Sequence, residues 1–436
     1  MPTAECLFSE SPYIPERLPR IPKKEFIDNT RNILWPRIKK ALTTPISESE
    51  KTQAGSSTAV DPSATIFSGT VDDINRHFTE MNWSDGLPII PTTMDRINEF
   101  LKYGGLTADT PIATLPVAHR RTLALHVAAC GVMAGCRPEY MPVLVALTKA
   151  LGGADFRRTL SSTHALNPYC WLNGPLARQL GIDSGQGEIS ETANAVIGRF
   201  INLALKNLSG YYIKQDRMGT FGYLMPWCLV EDEQACNNIG WSPYHVQHGF
   251  SPDDNTVTMA SAFMWGNNMA PSTTDPQEIA TLMAWDITQR CQFALGSGKQ
   301  YTYRTILLTE PVARLLRTGF DDKNDLENRL IEEARRPLYE RTFANYYANP
   351  GSRKDSDTMP FSRYEKRIAR TEDASMTGIP RWQALPDDYD ATEIMTVPVM
   401  KPGMTAMIIT GDNARNKIQT MPGGGYSTVR IELPEN

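Results

Sequence analysis

A short pattern that returns along the chain limits the fold more than any other feature. Trp171-Leu172-Asn173-Gly174-Pro175-Leu176-Ala177-Arg178 is matched by Leu307-Leu308-Thr309-Glu310-Pro311-Val312-Ala313-Arg314 and, more weakly, by Ile408-Ile409-Thr410-Gly411-Asp412-Asn413-Ala414-Arg415. Each copy is an apolar strand end, then Asn or Thr, then a turn, then Ala-Arg at the same offset. A strand that stops, turns tightly and enters a helix is the βα step of an α/β layer. Asn or Thr at the strand end can cap the helix that follows. The expected class is α/β: mixed helices and short sheets built from repeated strand-turn-helix units. The recurrence has two readings. Either all βα steps look alike, or the chain has internal pseudo-symmetry with three strand ends around one centre. Strand ends that open into helix N-termini are where α/β proteins hold ligands, anionic ones especially.

Chemistry is best carried by the stretch 128–153. Gly135-Cys136-Arg137-Pro138 precedes the apolar run Val143, Leu144, Val145, Leu147 and Leu151, which Gly152-Gly153 can stop as a helix. Pro138 and Pro142 both suit a helix start. Free N–H groups and an adjacent guanidinium favour thiolate over thiol. Cys136 is thus the candidate nucleophile or redox centre, with a small apolar core residue as the competing reading. Cys130, in the apolar VAACGVMAG, reads as core, and its spacing from Cys136 is not that of a redox CxxC. His164, in the polar loop SSTHALNP, can take the thiol proton, with Asn167 or Asn173 to orient it. Cys136, His164 and Arg137 make up the expected catalytic set.

A binding wall is expected around it. Ser184 and Gln186 in IDSGQG, with Asn173, Arg178, Asn194 and Arg199, supply neutral donors and cations suited to a carboxylate or carbonyl. Asp85, at an Asp-Gly turn, either faces this site or bonds its own backbone. His245 follows Trp241 and Tyr244 and can line a pocket. His245 and His248 form HxxH, but Pro243, Gly249 and Pro252 suggest a loop, and no HExxH or paired CxxC accompanies them. No metal is expected there. A Walker loop, GxSxG and GxGxxG entering a helix are absent from the sequence, and no cofactor is expected.

At 436 residues the chain can fill two or three cores. The reading is a peripheral tail or strap over 1–65, a main α/β domain with the Cys136 motif over 66–300, and a C-terminal α/β portion over 301–436 with a surface excursion at 337–390. Helices are expected over Val71–Met81 (Thr70 as cap), Met94–Tyr103 (Thr92 or Thr93 as cap), Arg120–Met133, Leu176–Leu180, Asn194–Leu208 and Asp321–Arg335, and strands over Tyr169–Leu172 and Thr256–Ala262. A net charge of −5 gives no support to nucleic-acid binding. No run approaches the roughly eighteen apolar residues of a membrane span. Seven scattered cysteines argue against a disulfide framework, and the first residues lack the pattern of a secretory signal. A cytoplasmic protein with free thiols is expected.

The chain also resembles a largely uncharacterised bacterial and fungal family. Its members carry W-x-D-G-L-P-[VI]-[VI]-P-x-T, M-A-G-C-R-P-E-Y, N-G-P-x-x-x-x-L-G-x-x-S-G-x-G, an Asn-Ala-x-Ile-Gly-Arg helix and a P-x-H-V-x-x-G-F loop. These fall here at Trp83–Thr93, Met133–Tyr140, Asn173–Gly187, Asn194–Arg199 and Pro243–Phe250, so the likeness spans roughly residues 70 to 436. Pro91-Thr92 stands where relatives often have two prolines. Some relatives are associated with UGSC-motif selenoproteins, which implies thiol or selenol chemistry.

The function expected first is a cysteine-dependent enzyme acting on a small organic substrate, by hydrolase- or lyase-type nucleophilic chemistry or by thiol redox. The redox case requires a thiol reductant as partner. The alternatives are an enzyme that uses the strand ends and not the cysteine, or a non-catalytic small-molecule-binding accessory protein. A homo-oligomer is compatible with all three.

Overall fold

Local chemistry starts and stops most of the helices. The Thr70 hydroxyl accepts from the Asp73 N–H while the Asp73 carboxylate accepts from the Thr70 N–H, a capping box that opens helix Val71–Glu80. Helix Met94–Gly104 starts at the Thr93 hydroxyl and ends at Gly105 in the left-handed region. This computed structural model describes residues 23–45, 47, 64–153, 160, 165–291, 302–337 and 396–434. His164, the prolines at 12, 15, 19 and 22, and nearly all of the excursion expected at 337–390 lie outside the described residues. The chain forms two compact units, Met1–Ser68 and Gly69–Asn436. The first contains helices Lys23–Asn29 and Trp35–Thr43, joined by a π turn at Thr30–Leu34.

The second unit is α/β. A hairpin of β1 (Pro111–Leu115) and β2 (Arg120–Leu123) comes first. The helix expected from Arg120 begins only at Ala124, because Arg120–Leu123 is drawn into this antiparallel ladder. The main strands that follow are β3 (Asn167–Asn173), β4 (Trp227–Val230), β5 (Thr256–Ala262), the short β6 (Asn268–Met269) and β7 (Tyr303–Leu308). A separate pair, β8 (Arg335–Pro337) and β9 (Thr396–Pro398), precedes β10 (Thr405–Ile409), β11 (Ile418–Gly423) and β12 (Ser427–Arg430).

The eight-stranded sheet runs β10-β7-β11-β5-β3-β4, with β12 added to β5 and β6 to β11. Its two outer pairs, β10–β7 and β3–β4, are parallel, and the inner contacts are antiparallel. The order therefore reads alike from either edge. Strand side chains alternate between faces. On one face Cys170, Leu172, Cys228, Val230, Val257 and Met259 pack against helices Ala124–Ala134, Met141–Leu151 and Thr192–Asn207. Ile306, Leu308, Met407, Ile409 and Ile418 pack against helices Pro276–Gln289, Glu310–Arg317 and Lys323–Glu333. The opposite face gathers Tyr169, Trp171, Trp227, Leu229, Ala260, Leu307, Ile408 and Met421 into one apolar cluster. Six strands contribute to that cluster because the sheet curls. Its edges meet where the Asp232 N–H donates to Ile409 O at 2.7 Å and the Thr410 hydroxyl lies 2.7 Å from Val230 O.

Two of the three recurrent segments are strand-to-helix steps, β3 into helix Pro175–Gln179 and β7 into Glu310–Arg317. The third departs. After β10 the chain turns at Gly411 (φ +87°), and the Asp412 carboxylate accepts from the Ala414 N–H. Asn413-Ala414-Arg415-Asn416-Lys417 offers no apolar stripe for a helix to bury, so a turn results.

Candidate functional site at the strand ends

Ionisable side chains collect where β3 and β4 end. Asn173 closes β3, and Glu231 follows β4 directly. The Asn173 Nδ2 donates to Glu231 Oε2 at 2.7 Å, and the Tyr244 N–H donates to the same oxygen at 2.6 Å. Glu231 Oε1 accepts from Lys323 Nζ at 2.7 Å. Lys323 sits at the start of helix Lys323–Glu333, which Asp322 caps, so its position is fixed by local sequence. Glu231 and Lys323 are both buried, their side chains 0% and 3% exposed. Burial pushes the neighbouring Cys236 thiol far above its ordinary value, and Glu231 adds to that.

Glu233 stands two residues further on. Its Oε1 accepts from the Gly174 N–H at 2.6 Å, and His245 Nδ1 lies 3.5 Å away. His245 is fully buried, and neither ring nitrogen is hydrogen-bonded. Asn173 Oδ1 and Thr256 Oγ1, cross-strand neighbours at the same sheet end, are likewise without partners. Burial raises the Glu233 carboxyl pKa. The Gly174 N–H and His245 pull it back, and Glu231 pushes it up again. At 22% side-chain exposure, Glu233 is the member of this cluster that meets solvent. Gly174 is required here: φ is +97°, and a Cβ would stand 2.5 Å from Asp254 O.

Beside this cluster, where the sheet edges meet, Glu188 is buried. Its Oε2 accepts from the Val230 N–H at 3.0 Å, and its Oε1 lies 2.6 Å from the Thr410 hydroxyl. Burial pushes the Glu188 carboxyl up to about 8, against lowering by the Thr410 and Val230 bonds. The hydroxyl has one proton, yet two acceptors, Glu188 Oε1 and Val230 O, lie within 2.7 Å. A protonated Glu188 resolves the count: it donates to Thr410, which donates to Val230 O.

The residues expected from sequence divide into groups. Asn173 and His245 belong to the strand-end cluster. Asp85 and Arg199 face each other in a bidentate ion pair (Nε–Oδ2 and Nη2–Oδ1 both 3.0 Å), and Arg199 also donates to the carbonyls of Leu87 and Pro88. That pair fastens the WSDGLP segment to helix Thr192–Asn207. Asn194 is fully buried and grips both the N–H and the C=O of Asp183. Ser184 meets the β10 turn through its carbonyl, which accepts from the Gly411 N–H, and Gln186 is exposed. Arg137 and Arg178 come together on the wall of one open cleft of about 690 Å³. His248 bonds the Tyr244 carbonyl at 2.8 Å and stacks on the Tyr244 ring. Among the described residues no group of three or more His, Cys, Asp or Glu side chains could hold a metal ion.

Cys136 is buried. Its Sγ–H points to Val196 O at 3.5 Å, and burial pushes the thiol well above its ordinary range, which Arg199 only partly offsets. It also follows the C-terminal end of helix Ala124–Ala134: Gly135 takes the left-handed conformation and the Cys136 N–H donates back to Gly131 O. The carbonyl end of that helix counters the N-terminal field of the next one. Native protein at pH 8 should therefore alkylate Cys136 at least about a hundredfold more slowly than unfolded protein. Mass-spectrometric footprinting with iodoacetamide checks this, and equal rates in the two states would show the thiol to be open.

Glu231, Glu233, Lys323 and Glu188 were not foreseen from sequence. The acidic run Glu231-Asp232-Glu233 directly after the apolar strand WCLV was a usable signal, since strand ends hold sites. Lys323 gave none, because DDKNDLEN reads as a solvated charged face. Comparisons with family models, with curated proteins and with solved structures find no match to this chain. No helix among the described residues is long and apolar enough to cross a membrane.

Proposed function

We propose that the protein is an enzyme that acts on a small organic substrate by proton transfer at the ends of β3 and β4. The observation that carries this reading is the fully buried His245, whose two ring nitrogens lack hydrogen bonds while its Nδ1 faces Glu233 at 3.5 Å. Buried polar groups are rarely left unpartnered outside functional sites or places where a water or ligand completes them. Glu233 has a raised pKa and a solvent-facing edge, the properties a general acid or base needs. Lys323, Glu231 and Asn173 form a fixed frame around the pair. Such a frame stabilises charge that develops on a substrate without having to reorganise. Cys136 has no chemical part in this reading, because its sulfur is buried and held against ionisation.

The test is substrate discovery with a built-in control. Purified wild-type protein and Glu233→Gln are each incubated with a metabolite extract in deuterated water and compared by mass spectrometry. The expected result is compounds that wild type consumes or labels with deuterium, at rates about a hundredfold lower in the variant. Identical profiles for the two proteins would end the proposal.

A further inference from the structure

The open cleft of about 690 Å³ is lined by charges of both signs that are not paired with one another. Arg137 and Arg178 supply two cations, and Asp183 and Glu191 two anions. Among the described residues none of the four takes part in an ion pair. Three of the four, Arg137, Arg178 and Glu191, are solvent-exposed and so remain open to a ligand. The four are held apart by their backbones and by other contacts. The Arg137 guanidinium stacks over the Tyr140 ring at 4.8 Å and donates to Leu180 O. Asp183 is fixed through the Asn194 carboxamide, which bonds its N–H at 3.0 Å and its C=O at 2.9 Å. Glu191 precedes helix Thr192–Asn207 and makes no side-chain cap bond, so its carboxylate is left for the cleft. Arg178 closes the five-residue helix Pro175–Gln179.

A ligand with one charge would satisfy one pair and leave the other uncompensated. A ligand with both charges satisfies all four. We propose that this cleft binds a zwitterionic small molecule of the α-amino acid class, its carboxylate held by Arg137 and Arg178 and its ammonium by Asp183 and Glu191. The volume lies in the range of ordinary small-molecule sites, so the side chain also has room. Helix Pro175–Gln179 joins this cleft to the strand-end cluster. Its first turn follows Gly174, which is bonded to Glu233, and Arg178 lies about 6 Å further along the helix axis. As a binding site the cleft stands on its own charges; as the site of substrate recognition it rests on the acid–base reading above.

Calorimetric titration of the full-length protein tests both. The twenty standard L-amino acids are titrated first, then the N-acetyl and carboxamide derivatives of the tightest binder. At least one amino acid is expected to bind. Removing its ammonium by acetylation or its carboxylate by amidation should each weaken binding about ten- to a hundredfold. Arg178→Gln should weaken the parent amino acid by a similar factor while leaving the carboxamide derivative unchanged. Failure of all twenty to bind, or derivatives that bind as tightly as the parent, would overturn the proposal. If amino acids bind yet Glu233→Gln turns them over like wild type, the acid–base reading fails and the binding site stands.

Discussion

Lys323→Met is expected to lower the stability of the protein by about 3–5 kcal/mol. The size follows from what the substitution leaves behind. Glu231 is 0% exposed, and its Oε1 has Lys323 Nζ as its strong donor at 2.7 Å, with only a Cys236 thiol at 3.6 Å besides. Without the ammonium, the carboxylate would remain in the interior with the Asn173 amide and the Tyr244 N–H on its other oxygen. An uncompensated buried charge is among the few lesions of that magnitude. Glu231→Gln in the same chain should recover more than half of the loss, because a neutral amide keeps an acceptor for one of those donors. Urea unfolding midpoints of wild type, both single variants and the double variant close the cycle. A single-variant loss below about 1 kcal/mol, the range of exposed pairs, would mean that water reaches the pair.

Most of the scaffold was legible because it rests on local signals. Thr70, Thr93 and Gly105 punctuate helices by their own hydrogen bonds or backbone freedom. Strand β5 coincides with the expected Thr256–Ala262, a run rich in β-branched residues. What was not legible depends on the curl of the sheet. The meeting of β4 with β10 brings Thr410 onto Val230 and Glu188, residues 180 and 222 positions away. No spacing rule connects them. Arg120–Leu123 failed as helix for a related reason, since the strand Pro111–Leu115 just upstream outcompeted its weak helical signal. At the strand ends, Asn173 and His245, both expected from their neighbours in sequence to line a pocket, lie in one cluster. Their partners Glu231 and Lys323 were missed because charged residues are ordinarily solvated, and only the folded chain shows these two buried. Cys136 illustrates the converse. Its sequence context favours ionisation, whereas burial, a tertiary property, pushes the thiol the other way.

Glu188 makes the stability of the fold depend on pH in the direction opposite to most carboxylates. In the unfolded chain it titrates near its ordinary value of 4.5; in the folded protein burial holds it at about 8. Between those values the native state keeps a proton that the unfolded state has lost, so raising the pH favours unfolding. Below about pH 4.5 the group contributes no pH dependence. From there to pH 8 it costs about 1.4 kcal/mol per pH unit, and the loss levels off at about 5 kcal/mol. Glu188→Gln should abolish this component. A glutamine can accept from the Val230 N–H through Oε1 and donate to the Thr410 hydroxyl through Nε2, reproducing the bonds of the protonated acid without an ionisable proton. The variant is therefore expected to match wild type near pH 4 and to exceed its stability by several kcal/mol at pH 9, read from denaturant midpoints across that range. Asp183 and Asp232, which press the carboxyl in the same direction, are unchanged in the variant, so the difference between the two curves isolates Glu188. Parallel curves would mean that Glu188 ionises in the native state, and that the Thr410 hydroxyl donates to its carboxylate and leaves Val230 O without that bond.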